Sequence, residues 1–402
     1  MELDNISTEI TGGGQTILNL GKAWLDDGNN VDIIMPRKWR DYLSLERKLN
    51  KACILKIKKS PEKSSLISVL FTYVIRLLQS IRHITKLISA KNIDLVFTDD
   101  QVSLIAAYIA GTLHSLKYRK KPVTIMPFYS WSIVDINWTY IYYPSEGSYK
   151  RELRRFYDYA STILTSRFAR RFVDYFFTES TYIAKLLNKN LQIPYSKTLP
   201  IGGGIDYDFI KKEGEIVFSD KRFDACFIGR IHPSKGVFDL VNAWNIVRDK
   251  IPDAKLVMIG GGYPYYGEKL EGIIKKLNLS NNVILCGYVS EEDKFKILTQ
   301  SKFLVHPSYG DCIPLTFFEA ASVGVPIITY YLPTYENVRD YIISVKRGNI
   351  KQLAATLTRC ISKYNANPEV YSCLIESEME LAKRHSWRNI AKAITSKANN
   401  LL

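Results

Sequence analysis

From Ala225 to Tyr330 the chain alternates short apolar runs with amphipathic ones. The apolar runs predict strands at Ala225–Ile228, Lys255–Ile259, Val283–Leu285, Phe303–Val305 and Ile327–Tyr330. The intervening segments predict helices over 236–249, 267–277, 291–299 and 315–323. A strand without polar alternation is buried on both faces, so strands of this kind belong in a parallel sheet covered by helices on either side. The fold class is therefore α/β. In an open sheet of this type, ligands gather outside the carboxyl ends of the strands.

A chain of 402 residues is long for a single core. The first half repeats the same logic. Residues 11–35 read as a glycine loop, a helix from Gln15 to Leu25, a turn at Gly28 and a strand at Val31–Met35, in which Gly13 and Gly14 allow close approach to a ligand. A plain turn is the alternative for that glycine run. Further strands are expected at Cys53–Ile57, Asp94–Thr98, Val123–Met126 and Asp174–Thr178, with a helix from Val102 to Leu116 that leaves His114 in solvent. Asp99 and Asp100 fall at a strand's carboxyl tip, and Tyr129 and Trp131 open an aromatic stretch that runs to Pro144. Both places suit an acceptor pocket, although the aromatics also fit ordinary packing. A helix starts at Glu179-Ser180 and runs to about Asn188, and Leu199-Pro200-Ile201 closes this half. The expected division is a first Rossmann-like domain over 1–204, a second over 205–380, and a final segment, 381–402, whose helix containing Trp387 returns to the first domain. A doubly wound domain opens on a buried strand, yet before Gly12 only Met1 and Leu3 precede a polar stretch. The expectation is that the true start lies upstream or that this form lacks its first strand.

The stretch His306–Pro326, HPSYGDCIPLTFFEAASVGVP, joins a strand to a helix that begins near Pro314. The free N–H groups of a first helical turn and the helix dipole favour an anion there. Asp311 and Glu319, spaced D-x7-E, suit the vicinal hydroxyls of a sugar or ribose; equally, Asp311 caps the helix and Glu319 lies on its solvated face. Arg230 and Lys235 follow another predicted strand, where two cations neutralise a diphosphate. His232, between them, reads as incidental.

The formal charge is +15, which calls for an anionic partner: nucleic acid, anionic lipid or a phosphorylated substrate. No zinc-finger, basic-zipper or aromatic RNA-binding pattern is present, so nucleic acid is the weakest of the three. Six scattered cysteines without C-x-x-C spacing point to a reducing compartment and away from structural zinc. No uncharged run of spanning length occurs, and the acidic start is unlike a signal peptide. A basic helix over Tyr149–Phe172 and a long helical pattern over Ser64–Ser89 either pack on the protein or meet an anionic membrane surface. The expected location is cytoplasmic, peripheral on the inner face of the cell membrane.

Asp311 to Glu319, followed by AASVGVPII, resembles the E-x7-E signature of family 4 retaining glycosyltransferases, glycosyl transferases group 1, with aspartate in the first position. FIGRIHPSKGVFDLVNAW, Phe227 to Trp244, is similar to that family's phosphate-binding segment. The resemblance implies a GT-B fold, two Rossmann-like domains facing a cleft with a C-terminal helix crossing back. It implies a nucleoside-diphosphate-sugar donor and a glycan or polyprenyl-phosphate-linked acceptor, with no metal or other cofactor. Catalytic roles would fall to Arg230, Lys235, Asp311 and Glu319, Glu319 on the ribose and Asp311 on the sugar. Leu315 and Thr316 would offer N–H groups to the phosphates, beside Gly229, Ile313 and Pro314, while Gly287, Tyr288 and Val289 would meet the base. The family often carries a histidine after the strand at Val123–Met126; none occurs between His114 and His232, so no catalytic histidine is assigned. Gly202-Gly203-Gly204 resembles the interdomain hinge, and Asp206-Tyr207-Asp208, though formally D-x-D, is linker sequence rather than a metal motif. Two other readings remain at this point: a sugar-nucleotide epimerase of the same architecture, and a non-catalytic partner subunit.

Overall fold

The computed structural model describes residues 12–29, 31, 34–36, 53–55, 93–97, 101–118, 122–127, 170–207, 210 and 221–401, and nine positions between 78 and 89. In the first lobe, helix α1 (Gly12–Asp26) precedes two short strands, β1 (Ile34–Pro36) and β2 (Cys53–Leu55), paired in parallel. Strand β3 (Leu95–Phe97), helix α2 (Gln101–Tyr118), strands β4 (Val123–Pro127) and β5 (Tyr175–Thr178), helix α3 (Thr181–Leu191) and strand β6 (Thr198–Pro200) follow. Strands β3 to β6 form a four-stranded parallel sheet in sequential order. All four residues of β5 are buried, as an uninterrupted apolar run requires.

The second lobe holds β7 (Ala225–Ile228), α4 (Val237–Lys250), β8 (Leu256–Ile259), α5 (Pro264–Lys276), β9 (Val283–Gly287), α6 (Glu291–Thr299), β10 (Leu304–His306), α7 (Leu315–Ser322), β11 (Ile327–Tyr330) and β12 (Ile343–Val345). Its sheet is six-stranded and parallel, in the order β12-β11-β10-β7-β8-β9. Strand order therefore reverses between β7 and β10, which pair through Leu304 and Cys226. That switch point opens a crevice at the carboxyl ends of these two strands, where the loops 229–236 and 307–314 emerge. Trp244 of α4 and Phe318 of α7 are fully buried on opposite sides of the sheet, in two separate apolar clusters.

Three further helices end the chain: α8 (Ile350–Ala366), α9 (Ser372–Arg384) and α10 (Trp387–Asn399). Trp387, Ile390, Ala391 and Ile394 of α10 sit in the first lobe's core with Leu20, Val123, Ile125, Phe177 and Leu199. Trp24 donates its indole N–H to Thr395 at 3.0 Å. The chain thus crosses between lobes twice, and the two crossings hydrogen-bond to each other: Ile205 N to His385 O at 2.9 Å and Trp387 N to Ile205 O at 3.0 Å. A β-carbon on Gly204 would stand 2.8 Å from Trp387 and Ile390, so the glycine permits this close crossing as well as any hinge motion. Away from the crossing, α3 meets a 3-10 helix at Pro333–Tyr341, where Lys185 pairs with Glu336 at 2.5 Å.

Several expectations change. The glycines at 12–14 lie inside the first turn of α1 rather than in a loop, because N–H groups there need no intrahelical partner and glycine costs little at a helix end. His114 is 5% exposed and not solvated, since α2 turns that face inward beside Ala110. Helix α5 starts at Pro264, three residues before the expected 267, because proline suits a helix's first turn. The region before Gly12, most of Ser64–Ser89, the aromatic stretch after Pro127 and nearly all of the basic helix at Tyr149–Phe172 lie outside the described residues.

Candidate functional site

Two loops build the centre of the crevice. After β7, Gly229-Arg230-Ile231-His232 leads into a 3-10 turn, Pro233–Lys235, that hands over to α4 at Gly236. Gly236 has φ +67°, and a β-carbon there would collide with the Pro307 carbonyl, so only glycine lets the two loops touch. His232 is not incidental: its Nδ1 accepts from Ser234 N at 3.2 Å and contacts Ser234 Oγ at 2.8 Å, capping the turn that presents Lys235. Ser234's carbonyl in turn accepts from Tyr309 N at 2.9 Å and Ser308 Oγ at 3.1 Å, which fixes one loop against the other.

Lys235 Nζ lies 2.5 Å from Asp311 Oδ2, and His306 Nε2 lies 2.9 Å from the same oxygen. Burial alone would raise the Asp311 carboxyl; the Lys235 charge and the His306 hydrogen bond overcome it and hold the group well below the usual carboxylate range. Burial, with Lys235 nearby, lowers the His306 pKa, so the imidazole is neutral at pH 7 and, facing a carboxylate, carries its proton on Nε2. Its ring stacks on Phe227, with centroids 6.2 Å apart, and meets Phe317 edge-on at 5.6 Å. The Asp311 carbonyl accepts from Thr334 Oγ1 at 2.6 Å. Tyr309, in the same loop, donates to Asp239 Oδ2 at 2.6 Å, and Tyr330 donates to that oxygen at 2.8 Å, tying the loop to α4.

Helix α7 begins at Leu315 with Pro314 at its cap and no side-chain cap. Helix geometry leaves the Leu315 and Thr316 N–H groups without an intrahelical partner, and the Thr316 hydroxyl is buried without a hydrogen-bond partner. The Leu315 side chain reaches across the cleft, 2.7 Å from where a β-carbon on Gly203 would sit. Ile313 is buried beneath. One turn along, Glu319 Oε1 pairs with Lys294 of α6 at 3.0 Å, and Lys294 also holds Glu291 at 2.7 Å. Burial lowers the Lys294 pKa, but the two carboxylates more than offset it and the net shift is upward, so the lysine stays charged. Arg230 is exposed at the end of β7, while Gly287, with φ +62°, ends β9 and leads to Tyr288, 65% exposed, and the partly buried Val289.

The structure therefore brings Lys235, Asp311 and the start of α7 together and places Glu319 a turn behind them. Gly229 and Arg230 lie at the carboxyl end of β7 and the 287–289 segment at that of β9, two strands along in the same sheet. Asp206, of the discounted D-x-D, pairs with Lys22 at 3.1 Å. Asp99, Asp100, Tyr129 and Trp131 lie outside the described residues, and Gly13 and Gly14 occupy a helical turn. Sequence reading missed His306 and Lys294. The histidine had a signal, since it ends a strand beside the loop, but the lysine's partner is 25 residues away.

Two family models meet near the crossing between the lobes: Glycosyltransferase Family 4 matches residues 10–209 and Glycosyl transferases group 1 matches residues 208–372. A glycosyltransferase of Methanocaldococcus jannaschii is 29% identical over 46% of this chain and 44% of its own length. The alpha-galactosylglucosyldiacylglycerol synthase of Streptococcus pneumoniae is 24% identical over 51% of each chain. The chain thus spans about half the length of the curated relatives it matches. The structure of Anabaena HepE in complex with UDP and glucose superposes with a TM-score of 0.67 at 16% identity, covering 98% of both chains, which establishes a shared fold. With the switch-point crevice, the D-x7-E helix and both family models in register, the chain belongs to the family 4, group 1 glycosyltransferases and has the GT-B fold.

Proposed function

We propose that this protein transfers a sugar, with retention of anomeric configuration and without a metal ion, from a nucleoside diphosphate to a glycan or a polyprenyl-phosphate-linked acceptor. The observation that carries the reading is the convergence of the Lys235 ammonium, 2.5 Å from Asp311, and the uncapped start of α7 on one point of the crevice. A diphosphate placed there takes charge compensation from Lys235 and Arg230 and hydrogen bonds from the Leu315 and Thr316 N–H groups. As the glycosidic bond breaks, negative charge grows on the departing phosphate. Fixed cations and helix N–H groups stabilise that charge more than the ground state, which lowers the barrier and does the work a divalent cation performs elsewhere. Entry of the diphosphate draws Lys235 from Asp311, freeing an acceptor oxygen for a hydroxyl of the sugar. Glu319, on the next turn, exchanges part of its Lys294 pairing for the ribose diol. Gly287, Tyr288 and Val289 meet the base.

A UDP and glucose complex of HepE supports this choice of donor class, and the pneumococcal relative, named as an alpha-galactosylglucosyldiacylglycerol synthase, supports a lipid-bearing acceptor. The charge of +15 supports a peripheral place on an anionic membrane at the cytoplasmic face. The test is incubation of the purified protein with UDP-, GDP- and ADP-sugars and polyprenyl-phosphate-linked glycans, with and without a chelator. The expected result is a product of unchanged anomeric configuration, formed equally well in both. Free sugar released from every donor without acceptor, or full dependence on a divalent ion, contradicts the reading.

A further inference from the structure

Glu179 has no role in the account so far, yet it sits where the two lobes meet at the donor site. It follows β5 directly and precedes α3. The ordinary work of a polar residue there, capping the helix, is already done: Ser180 Oγ accepts from Ile183 N at 3.3 Å, and Asn337 Oδ1 accepts from Thr181 N at 3.2 Å. Instead the Glu179 carboxyl faces across the cleft. It hydrogen-bonds the Cys312 thiol, with Asp311 and Lys235 as the charged groups within electrostatic reach. Cys312 itself packs against first-lobe residues Val173, Phe176 and Ile183, so the tip of the 307–314 loop is seated on the lobe that supplies Glu179. Burial, with proximity to Glu179 and Asp311, pushes the Cys312 thiol well above its usual pKa, so it is a neutral donor.

Asp311 is the shorter of the two acidic residue types and already shares Oδ2 between Lys235 and His306. Glu179, from the other lobe, lies within electrostatic reach of Asp311 and beside Cys312, the next residue in the same loop. We propose that Glu179 is the first lobe's contribution to the donor site, a specificity-determining residue whose carboxyl group hydrogen-bonds a hydroxyl of the transferred sugar from the side opposite Asp311. The inference rests on the nucleotide-sugar reading above. Burial pushes the Glu179 carboxyl up to about 7, with the Asp311 charge adding to that shift and Lys235 opposing it. Around neutral pH the group therefore both donates and accepts, and loses its donor proton in the range where an enzyme works. Closing a sugar over it excludes water, which favours the neutral form further.

Titration calorimetry on the full chain tests this. UDP, GDP and ADP are titrated first, followed by the glucose, galactose and N-acetylglucosamine conjugates of whichever nucleotide binds, on wild type, Glu179→Ala and Glu179→Gln at pH 6 and pH 8. In Glu179→Ala the preferred conjugate loses at least tenfold more affinity than its nucleotide does. In wild type the ratio of conjugate to nucleotide affinity falls between pH 6 and pH 8, and in Glu179→Gln it stays flat. An unchanged ratio in Glu179→Ala overturns the inference, as does equal weakening of nucleotide and conjugate, which would make Glu179 a packing residue. If wild type binds none of the three nucleotides, the nucleotide-sugar reading fails and this inference fails with it.

Discussion

The two lobes solve the same folding problem with different means. In the second lobe, strand and helix alternate without interruption from β7 to β11, and the core is assembled from residues close in sequence. In the first lobe, α10 arrives from the far end of the chain to complete the core around Leu20, Val123, Ile125, Phe177 and Leu199. The consequence is functional. The second lobe carries a rigid crevice at its switch point, with Lys235, Asp311, His306 and the α7 start pinned by side-chain contacts. The first lobe, among the described residues, offers a single carboxyl, Glu179, on a frame whose last element is also a crossing between lobes.

The largest effect should come from removing that crossing's anchor. Trp387 is 5% exposed, and Trp387→Ala should cost about 3–5 kcal/mol, the range for emptying a buried aromatic site. If the lobes differ as described, denaturant unfolding monitored by tryptophan fluorescence will show the first lobe melting ahead of the second, whereas a single shifted transition would mean that the two fold as one unit. Next comes Lys235→Ala, and with it Glu319→Ala. Each should leave a folded protein with transfer down by ~100-fold, the scale of losing one transition-state contact, and steady-state rates at saturating donor check it. Near-normal turnover in either would detach the crevice from the chemistry. Gly236→Ala is expected to cost about 1–3 kcal/mol through backbone strain and the Pro307 clash, with a larger fall in nucleotide affinity than Gly272→Ala, whose β-carbon meets nothing within 4 Å. Thermal shift with and without nucleotide separates the two losses.

The smallest effect concerns pH and the first lobe's carboxyl. Glu179 takes up its proton at about 7 in the folded protein against 4.5 in an unfolded chain. Between those values the folded state binds the extra proton, so this group's contribution is full below about 4.5 and is lost as pH rises through about 7. Glu179→Gln should therefore gain on wild type as pH rises from 5 to 8, by of order 1 kcal/mol once the half-buried setting is allowed for. Parallel melting curves across that range would assign the proton elsewhere.

The legible parts of this molecule are those written locally. Five apolar runs and the helices between them announce the second sheet, although β9, at its edge, leaves Ile284 and Leu285 exposed where an uninterrupted apolar run reads as buried, and D-x7-E with Arg230 and Lys235 marks its crevice. What stayed hidden depends on partners distant in sequence. Asp311 meets Lys235 across 76 positions and Glu319 meets Lys294 across 25, so neither pairing leaves a periodic trace. His114 looked like a surface residue because its helix is apolar nearly all round and does not declare its inner face. The glycines at 12–14 looked like a loop because composition does not distinguish a turn from a helix's opening residues.

The central claim is a position: a diphosphate between Lys235 and the first turn of α7. A crystal structure of the protein with the nucleoside diphosphate it binds tests it directly. The account predicts phosphate oxygens within hydrogen-bonding distance of the Leu315 and Thr316 N–H groups and of Lys235, with Asp311 released from that lysine. Phosphates bound elsewhere, with the Lys235–Asp311 pair still closed at 2.5 Å, would contradict it.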